Sequence, residues 1–467
     1  MTQSSAAPRI YPDSVNDLAG GTLYIADLGE EDGLFFCGEH CPFANGQPQG
    51  ERLFRIPMVY ETARALWQLL PWTAPRQVLQ EERTFGTGDR LGIATLGQIR
   101  GVKNYDVFPV LAQQSKRELN LMGNTYRDVL ARVTFQVLQA GFRRGYGADG
   151  DHLKTAQDIR DAIDDGVSMI TLDCSEHIHC ERTTAPISEE LRRRYLSGPI
   201  RFGEMELTFT PEDLMLAQAI FGEAIQFAIE IYHSCIEGKP VDLEISMDET
   251  DLSTTPEQHF FVANELRLAG IPFRTMAPRF YGEFQKGVDY IGNLRRFDEE
   301  IVIHAAIADH FGYKLSIHSG SDKFSVFPSI GKATREHFHA KTAGTSWLEA
   351  VRLVSMWDPG LFREIYAYAQ EVFTECRAYY HVSTELSMIP DIRDWEDSQL
   401  PELLNQNPSR QLLHITYGKI MNHPDYRPRL YGFWRANRDA YAELLERHLS
   451  RHLALLCPEH RCEEART

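Results

Sequence analysis

From about residue 82 onward, apolar and polar positions fall into two alternating periods. Short stretches rich in aliphatic and β-branched residues predict strands at 90–95, 141–147, 167–173, 241–246, 273–277, 314–318, 337–341 and 379–384. Between most of them apolar residues recur at helical spacing. Val129, Val133 and Val137 repeat every four residues behind Asn124 or Thr125, either of which can cap a helix that stops near Ala140-Gly141. Thr255-Pro256-x-Gln258 combines a cap, a proline at the first helical position and a capping-box partner, and Gly270 closes that helix after Leu266 and Ala269. Asp298 opens another helix, with Ile303, Ile307 and Phe311 on one side and Gly312 as its C-cap. Ser346-x-x-Glu349 reads as a further capping box, and 211–237 as a long, strongly apolar helix.

Strands alternating with helices over about 300 residues predict an α/β fold, a TIM-like (β/α)8 barrel. Residues 1–80 are irregular, with one helical piece near 62–70, and predict an N-terminal extension packed on one end of the barrel. The barrel takes 81–390, and 391–467 form a charged, aromatic, helical C-terminal segment. A dinucleotide fold would need a glycine fingerprint opening a helix. In Gly86-Thr-Gly88-Asp-Arg-Leu-Gly92 the last glycine is displaced by one, and an apolar run follows.

Composition narrows the function. A formal charge of −18 argues against a nucleic-acid partner or an anionic membrane surface, since both need a basic face, but it does not exclude a locally basic pocket for a small anion. The N-terminus has no signal-peptide core, and no apolar run approaches the roughly 18–20 residues that span a bilayer. Eight cysteines without a dense framework predict reduced thiols and a cytoplasmic protein. Cys37, His40 and Cys41 near one end and Cys457, His460 and Cys462 near the other could make a structural zinc site. Their spacing matches no standard knuckle, so free thiols are expected. The sequence leaves assembly into a homo-oligomer open.

Functional residues of a barrel enzyme sit after the strands, and polar groups cluster there. His177, His318 and His339 follow different strands, beside carboxylates, and predict a divalent metal site (Zn, Ni, Mn, Fe or Co). His337 shares the strand face of His339 and competes with it, and His152, His179 and Asp173 are reserves. Glu176 and Glu283 are a carboxylate pair able to divide base and acid roles. Arg279, Lys286, Lys323 and Lys341 bring local positive charge that suits an anionic substrate, as does the 342–346 turn leading into a helix N-terminus. Asp89, Arg90, Asp151, His152, Lys154, Asp248 and Asp322 complete the candidate substrate contacts. Arg410, His414, Tyr417 and Lys419 in the tail suit either a fold back over the barrel mouth or a plain amphipathic helix.

Thr84-Phe-Gly-Thr-Gly-Asp-Arg-Leu-Gly92, 147–154, 172–177, His318-Ser-Gly-Ser-Asp-Lys-Phe-Ser325 and Phe338-His-Ala-Lys-Thr-Ala-Gly-Thr-Ser346 together resemble the tagaturonate (fructuronate) epimerase family, in order from about residue 80 to 420. The resemblance implies a metal-dependent barrel enzyme interconverting D-tagaturonate and D-fructuronate, with relatives acting on the neutral ketoses fructose and tagatose. It implies Glu176 as proton acceptor, Glu283 as proton donor, and His177, His318 and His339 as metal ligands. The inverted carbon lies β to the ketone, so its C–H is not acidified, and no NAD fingerprint exists for transient oxidation. Retro-aldol cleavage and re-addition is the expected route. Two other readings compete: a metal-dependent aldolase or hydrolase on a sugar acid, and a non-catalytic sugar-acid binding protein. The first strand end carries Asp89 and Arg90 in place of the His-x-His common in barrel hydrolases. A binding protein would need neither a metal nor two flanking carboxylates.

Overall fold

The computed structural model describes residues 8–462, so the first seven residues of the polar N-terminal stretch, and the last five of the chain, lie outside it. Eight parallel strands close on themselves: β1 (Arg83–Gly88), β2 (Phe108–Ser115), β3 (Gly147–Leu153), β4 (Met169–Asp173), β5 (Asp242–Ser246), β6 (Thr275–Ala277), β7 (Lys314–Ile317) and β8 (Phe338–Thr342). Closure comes from β8 pairing with β1, with His339 opposite Thr84 and Lys341 opposite Gly86. Helices α1 (Thr95–Lys103), α2 (Tyr126–Gln139), α3 (Ala156–Asp165), α4 (Pro211–Ile231), α5 (Pro256–Leu268), α6 (Leu294–Phe311), α7 (Phe327–Ala333) and α8 (Thr345–Trp357) follow the strands in order. This is a (β/α)8 barrel.

Several local expectations differ from the structure. The stretch 90–95 is a turn, because the Asp89 carboxylate accepts hydrogen bonds from the backbone N–H groups of Leu91, Gly92 and Ala94 and folds the chain ahead of α1. The strand before it is β1, whose sequence Arg-Thr-Phe-Gly-Thr-Gly carries almost no apolar signal, although all six residues are buried. Strand β2 is also absent from the expected set: Phe108–Ala112 is apolar, but Pro109 argues against a strand and the stretch ends in Gln-Gln-Ser. The stretch 379–384 is not a strand, and 141–147 leads into β3 instead of forming it. Helix α6 begins at Leu294, capped by Asn293, a turn before Asp298. The Ser346 capping box does not form: Gly344 is the N-cap of α8, and the Ser346 hydroxyl donates to the Gly88 carbonyl at 2.9 Å.

The N-terminal region is more regular than its composition suggests. It forms an antiparallel sheet built mainly from Gly21–Asp27, Asp32–Gly38 and Leu53–Ile56. Leu23, Ile25, Leu34 and Phe36 bury that sheet against Phe135 and Leu138 of α2. Against the expectation from apolar runs, Pro211–Ile236 is long and apolar enough to cross a membrane, with mean hydropathy 1.4. Half of it is buried inside the molecule, and α4 packs against α5.

The C-terminal segment adds α9 (Pro359–Arg377), α10 (Asn407–Asn422), α11 (Tyr426–Ala436) and α12 (Arg438–Leu456). α12 lies close along α1. A Cβ at Gly97 would come within 3.0 Å of the Ala442 backbone, and one at Gly101 within 2.9 Å of Leu449 Cβ. On the barrel's outer layer, His259 of α5 and His304 of α6 are fully buried with their Nδ1 atoms 2.8 Å apart, and His259 Nε2 pairs with the Tyr313 hydroxyl at 2.6 Å.

The barrel interior is polar. Lys341 points inward from β8, with its ammonium 2.8 Å from Asp149, 2.5 Å from Asp151 and 3.1 Å from Glu244, and it donates to the Thr171 hydroxyl at 2.7 Å. Glu244 also accepts from Thr275 at 2.6 Å. Burial disfavours every one of these charges, but the three carboxylates hold the Lys341 ammonium well above its usual pKa.

This packing is testable at two points. Lys341→Met leaves three buried carboxylates without their cation and should cost on the order of 3–5 kcal/mol. Urea unfolding in the presence of chelator reads the loss, and an unchanged midpoint would remove the network as a determinant of the barrel. The buried His259–His304 pair stays neutral: burial pushes His304 down to about 4 and His259 well below its ordinary value. A folded pKa below the unfolded value near 6.5 means their stabilisation is complete above pH 6.5 and lost as pH falls toward 4, by about 3 kcal/mol for His304. Thermal unfolding from pH 8 to 4 should show this decline, and His304→Phe should flatten it.

Candidate active site

At the C-terminal ends of the strands a cavity of about 420 Å³ opens, lined by groups from all eight strand ends. The tight turns after the strands aim these groups inward. His152, Ser319 and Asp322 hold left-handed backbone conformations, with φ of 55°, 50° and 64°. That conformation is costly for non-glycine residues, and such outliers concentrate at functional sites.

His318 stands at the centre. Its Nε2 lies 2.7 Å from Glu244, which links it to Lys341 below, and its Nδ1 lies 2.8 Å from Asp248. Ser246 donates to Asp248 at 2.7 Å. His152 approaches edge-on, its ring centroid 4.9 Å from that of His318, with Nδ1 3.3 Å from Asp173. Burial works against charge on His152, but Asp151 and the hydrogen bond to Asp173 push it up to about 10. Burial opposes ionisation of Asp248 too, and the His318 imidazole outweighs it and lowers the carboxyl. Burial and the Lys341 charge act in opposite senses on Asp149, leaving it up at about 6.

Ligating atoms of His152, Asp248 and His318 all lie within 4.8 Å of one another. His339 is completely buried on β8. Its Nδ1 pairs with Thr84 at 2.9 Å, while its Nε2 has no hydrogen-bond partner and faces Glu244 at 3.9 Å. Burial pushes His339 down to about 3, so the imidazole is neutral, the form that binds a metal. Imidazole nitrogens and carboxylate oxygens in one pocket are a donor set that fits a divalent transition metal, which would displace the protons of His152 and His318 on binding.

The other sequence candidates fall into three groups. Lys154, Glu176, Arg90, Asp151 and Lys286 line the cavity with His152, His318 and Lys341. Lys154 bonds Ser175 at 3.0 Å and sits 3.6 Å from Glu176, whose side chain is 67% exposed at the mouth. Arg279 and Glu283 lie together off the cavity wall, 3.5 Å apart, with His381 3.3 Å from Glu283. His177 stacks on Phe227 with ring centroids 4.1 Å apart and is not part of the His152–Asp248–His318 group. His179 pairs with Glu223 at 2.8 Å, and half-buried His337 lies just outside β8.

The third group is turned to the scaffold. Asp89 shapes the turn described above. Lys323 is fully buried, its ammonium donating to the carbonyls of Gln285, Val288 and Ser321. Asp322 accepts from Arg410 of α10 at 2.5 Å and pairs with His448 of α12 at 2.6 Å. These contacts carry the tail back to the barrel mouth, where His414 of α10 lines the cavity. Tyr417 lies under Arg90, with 4.0 Å from the guanidinium carbon to the ring centre, and Lys419 pairs outside with Glu375. Among the described residues, neither terminal cysteine pair enters a close cluster of three metal-ligating groups. Glu244 and Asp173 tie the site together. Both lie within predicted strands; Asp173 is among the reserve ligands, but no residue-level signal ranks Glu244 above its neighbours.

Known proteins share this architecture. The sequence profile of the tagaturonate epimerase family matches residues 11–456. The tagaturonate/fructuronate epimerase of Thermotoga maritima is 39% identical over 466 residues, covering 96% of each chain. The native crystal structure of the fructuronate-tagaturonate epimerase UxaE from Cohnella laeviribosi superposes with a TM-score of 0.93 at 41% identity, covering 97% of each chain, and a glycerol complex of the same protein gives 0.91 over 96% of each. With the match spanning nearly the whole chain and the barrel mouth included, this protein belongs to the tagaturonate epimerase family.

Proposed function

We propose that the chain interconverts D-tagaturonate and D-fructuronate by cleaving and re-forming a carbon–carbon bond. Family membership supports the substrate pair. The observation that carries the chemistry is the juxtaposition, in one cavity, of the Glu176 carboxylate with the His152–Asp248–His318 group above a buried Lys341. In the substrate, the carbon to be inverted bears a hydroxyl and lies β to the ketone. Glu176 takes the proton of that hydroxyl, the bond between the inverted carbon and its neighbour next to the ketone breaks, and the bonding pair passes to the ketone side as an enediolate. The three-carbon aldehyde turns its other face to the enediolate, the bond re-forms, and the new alkoxide takes up a proton. Glu283 is the donor implied by the resemblance. Its carboxylate is 38% exposed beside Arg279, outside the cavity lining.

A divalent cation fits the site and would supply Lewis acidity at the ketone and the adjacent hydroxyl. His318 belongs to both possible ligand sets. The compact geometry favours His152 and Asp248 as its partners, and the resemblance favours His177 and His339, of which His339 has the bare buried nitrogen. Metal analysis of His152→Ala and His177→Ala decides between them. In this reading tagatose and fructose also react, with a hydroxymethyl group in place of the carboxylate.

Chelation should abolish epimerisation, and a divalent metal should restore it. Glu176→Gln should lower kcat by about 100-fold or more, the usual worth of a positioned general base. Activity unchanged by both treatments would remove the enzymatic reading. In deuterated water no label should enter at the inverted carbon, while a labelled three-carbon aldehyde should be incorporated. Deuterium at that carbon would overturn the cleavage route.

A further inference from the structure

The charges around the cavity are sorted. The ends of β3, β4 and β5 bring Asp151, Asp173, Glu176 and Glu249 to the cavity lining, with Asp248 behind them on His318, and Lys154 is the one lysine or arginine among them. The other half of the rim, from β6 round through β8 to β2, carries Lys286, Arg90, Lys116 and Arg117. Two of these are committed: Arg90 pairs with Glu118 at 2.8 Å and Lys116 with Asp158 at 2.9 Å. Lys286 is different. Its ammonium donates only to the uncharged Ser319 hydroxyl, at 2.8 Å, and Ser319 is one of the strained residues. Burial and the nearby Arg117 charge push Lys286 down, outweighing the opposing effect of the Glu249, Glu118 and Asp248 carboxylates, none of which forms an ion pair with it.

Next to Lys286 the C-terminal tail inserts one side chain. His414 is 1% exposed yet lines the cavity, and its Nδ1 has no hydrogen-bond partner. Its imidazole is slotted between two glycines. A Cβ at Gly287 would lie 3.3 Å from His414 Cβ, and one at Gly344 only 1.9 Å from His414 Nε2. Gly344 is also the N-cap of α8, so the backbone N–H groups of a 13-residue helix open beside the same imidazole. Arg90 donates to the His414 carbonyl at 3.2 Å, and Arg410, one turn earlier on α10, donates to the Gly287 carbonyl at 2.7 Å. The tail is therefore fastened on both sides of the histidine.

We propose that Lys286, His414 and the N-terminus of α8 form the subsite for the carboxylate end of a sugar acid, so that the C-terminal helix α10 supplies a substrate-specificity residue to the barrel. The proposal rests on the epimerase reading above and names which end of the substrate lies where. The carboxylate meets the cationic half of the rim, and the reacting carbons meet the histidine and carboxylate half. A neutral ketose leaves Lys286 and His414 without a charged partner and binds more weakly.

The test compares the full-length enzyme with Lys286→Met, His414→Ala and Gly344→Ala. For tagaturonate, Lys286→Met and His414→Ala should each raise KM about tenfold or more, the worth of a charge-assisted hydrogen bond, with kcat nearly unchanged. Gly344→Ala should act like His414→Ala by displacing the imidazole, and Lys286→Arg should restore most of the affinity. Glycerate, which matches the carboxylate end, should inhibit the parent competitively and lose that effect in Lys286→Met, whereas glycerol should discriminate little. If the buried His414 variant fails to fold, Lys286→Met and the glycerate titration decide. A parent enzyme that does not epimerise tagaturonate defeats the epimerase reading. A parent that does, with KM and glycerate inhibition unmoved in Lys286→Met, overturns this proposal alone.

Discussion

The barrel depends on one buried ammonium. Lys341 reaches across the interior to carboxylates from β3 and β5, so four strand positions share a single charge cluster. Each carboxylate alone would be prohibitively costly to desolvate, and each becomes tolerable only when the barrel has closed and brought the lysine to it. Strand register therefore has a sharp electrostatic penalty for error. A slip of one residue on β8 would turn both His339 and Lys341 outward. The usual barrel filling of branched aliphatic residues packs well but places no such condition on register.

That cluster also builds the site above it. Glu244 touches Lys341 below and His318 above, and His318 in turn orients Asp248. The functional groups at the mouth are thus held through charge-assisted bonds that begin in the core, where water does not compete. Charged residues further out serve a different purpose. Asp322 and Lys323 stand in the same His-Ser-Gly-Ser-Asp-Lys motif as His318, yet both are consumed in fastening loops and the C-terminal helices to the rim. One short motif carries ligand-type chemistry at its start and scaffolding at its end.

What is legible in the sequence follows from this division. Period-two spacing puts His337, His339 and Lys341 on one face, so the shared inward direction of His339 and Lys341 can be read directly, while only the structure shows that His337 lies just before the strand. The barrel class is legible from strand and helix alternation. Strand β1 is not, because its inward residues are Thr and Gly that face the polar interior, and hydropathy cannot separate a polar strand from a loop; β2 is apolar over Phe108–Ala112, but Pro109 and its Gln-Gln-Ser end obscure it. Asp89 looks like a substrate contact for a related reason: its carboxylate satisfies three backbone N–H groups, a role that leaves no signature beyond the residue type. Glu244 is the converse. Its importance lies in contacts to β4, β6, β7 and β8, none of which sequence spacing encodes.

The strained backbone at the strand ends completes the physical account. His152, Ser319 and Asp322 each occupy a left-handed conformation that costs of order 1–3 kcal/mol for a non-glycine residue. Each also makes a short polar contact: His152 to Asp173, Ser319 to Lys286, and Asp322 to Arg410 and His448. In the last case the partners come from α10 and α12, more than 80 residues downstream. The strain at the mouth is therefore held in part by a segment that begins after the barrel is complete. Docking of that tail fixes Asp322, sets the loop that carries Ser319, and slots His414 between Gly287 and Gly344. The mouth reaches its final shape only when core charge, strand-end strain and tail docking are satisfied together, which makes the C-terminal helices part of the site and not an appendage to it.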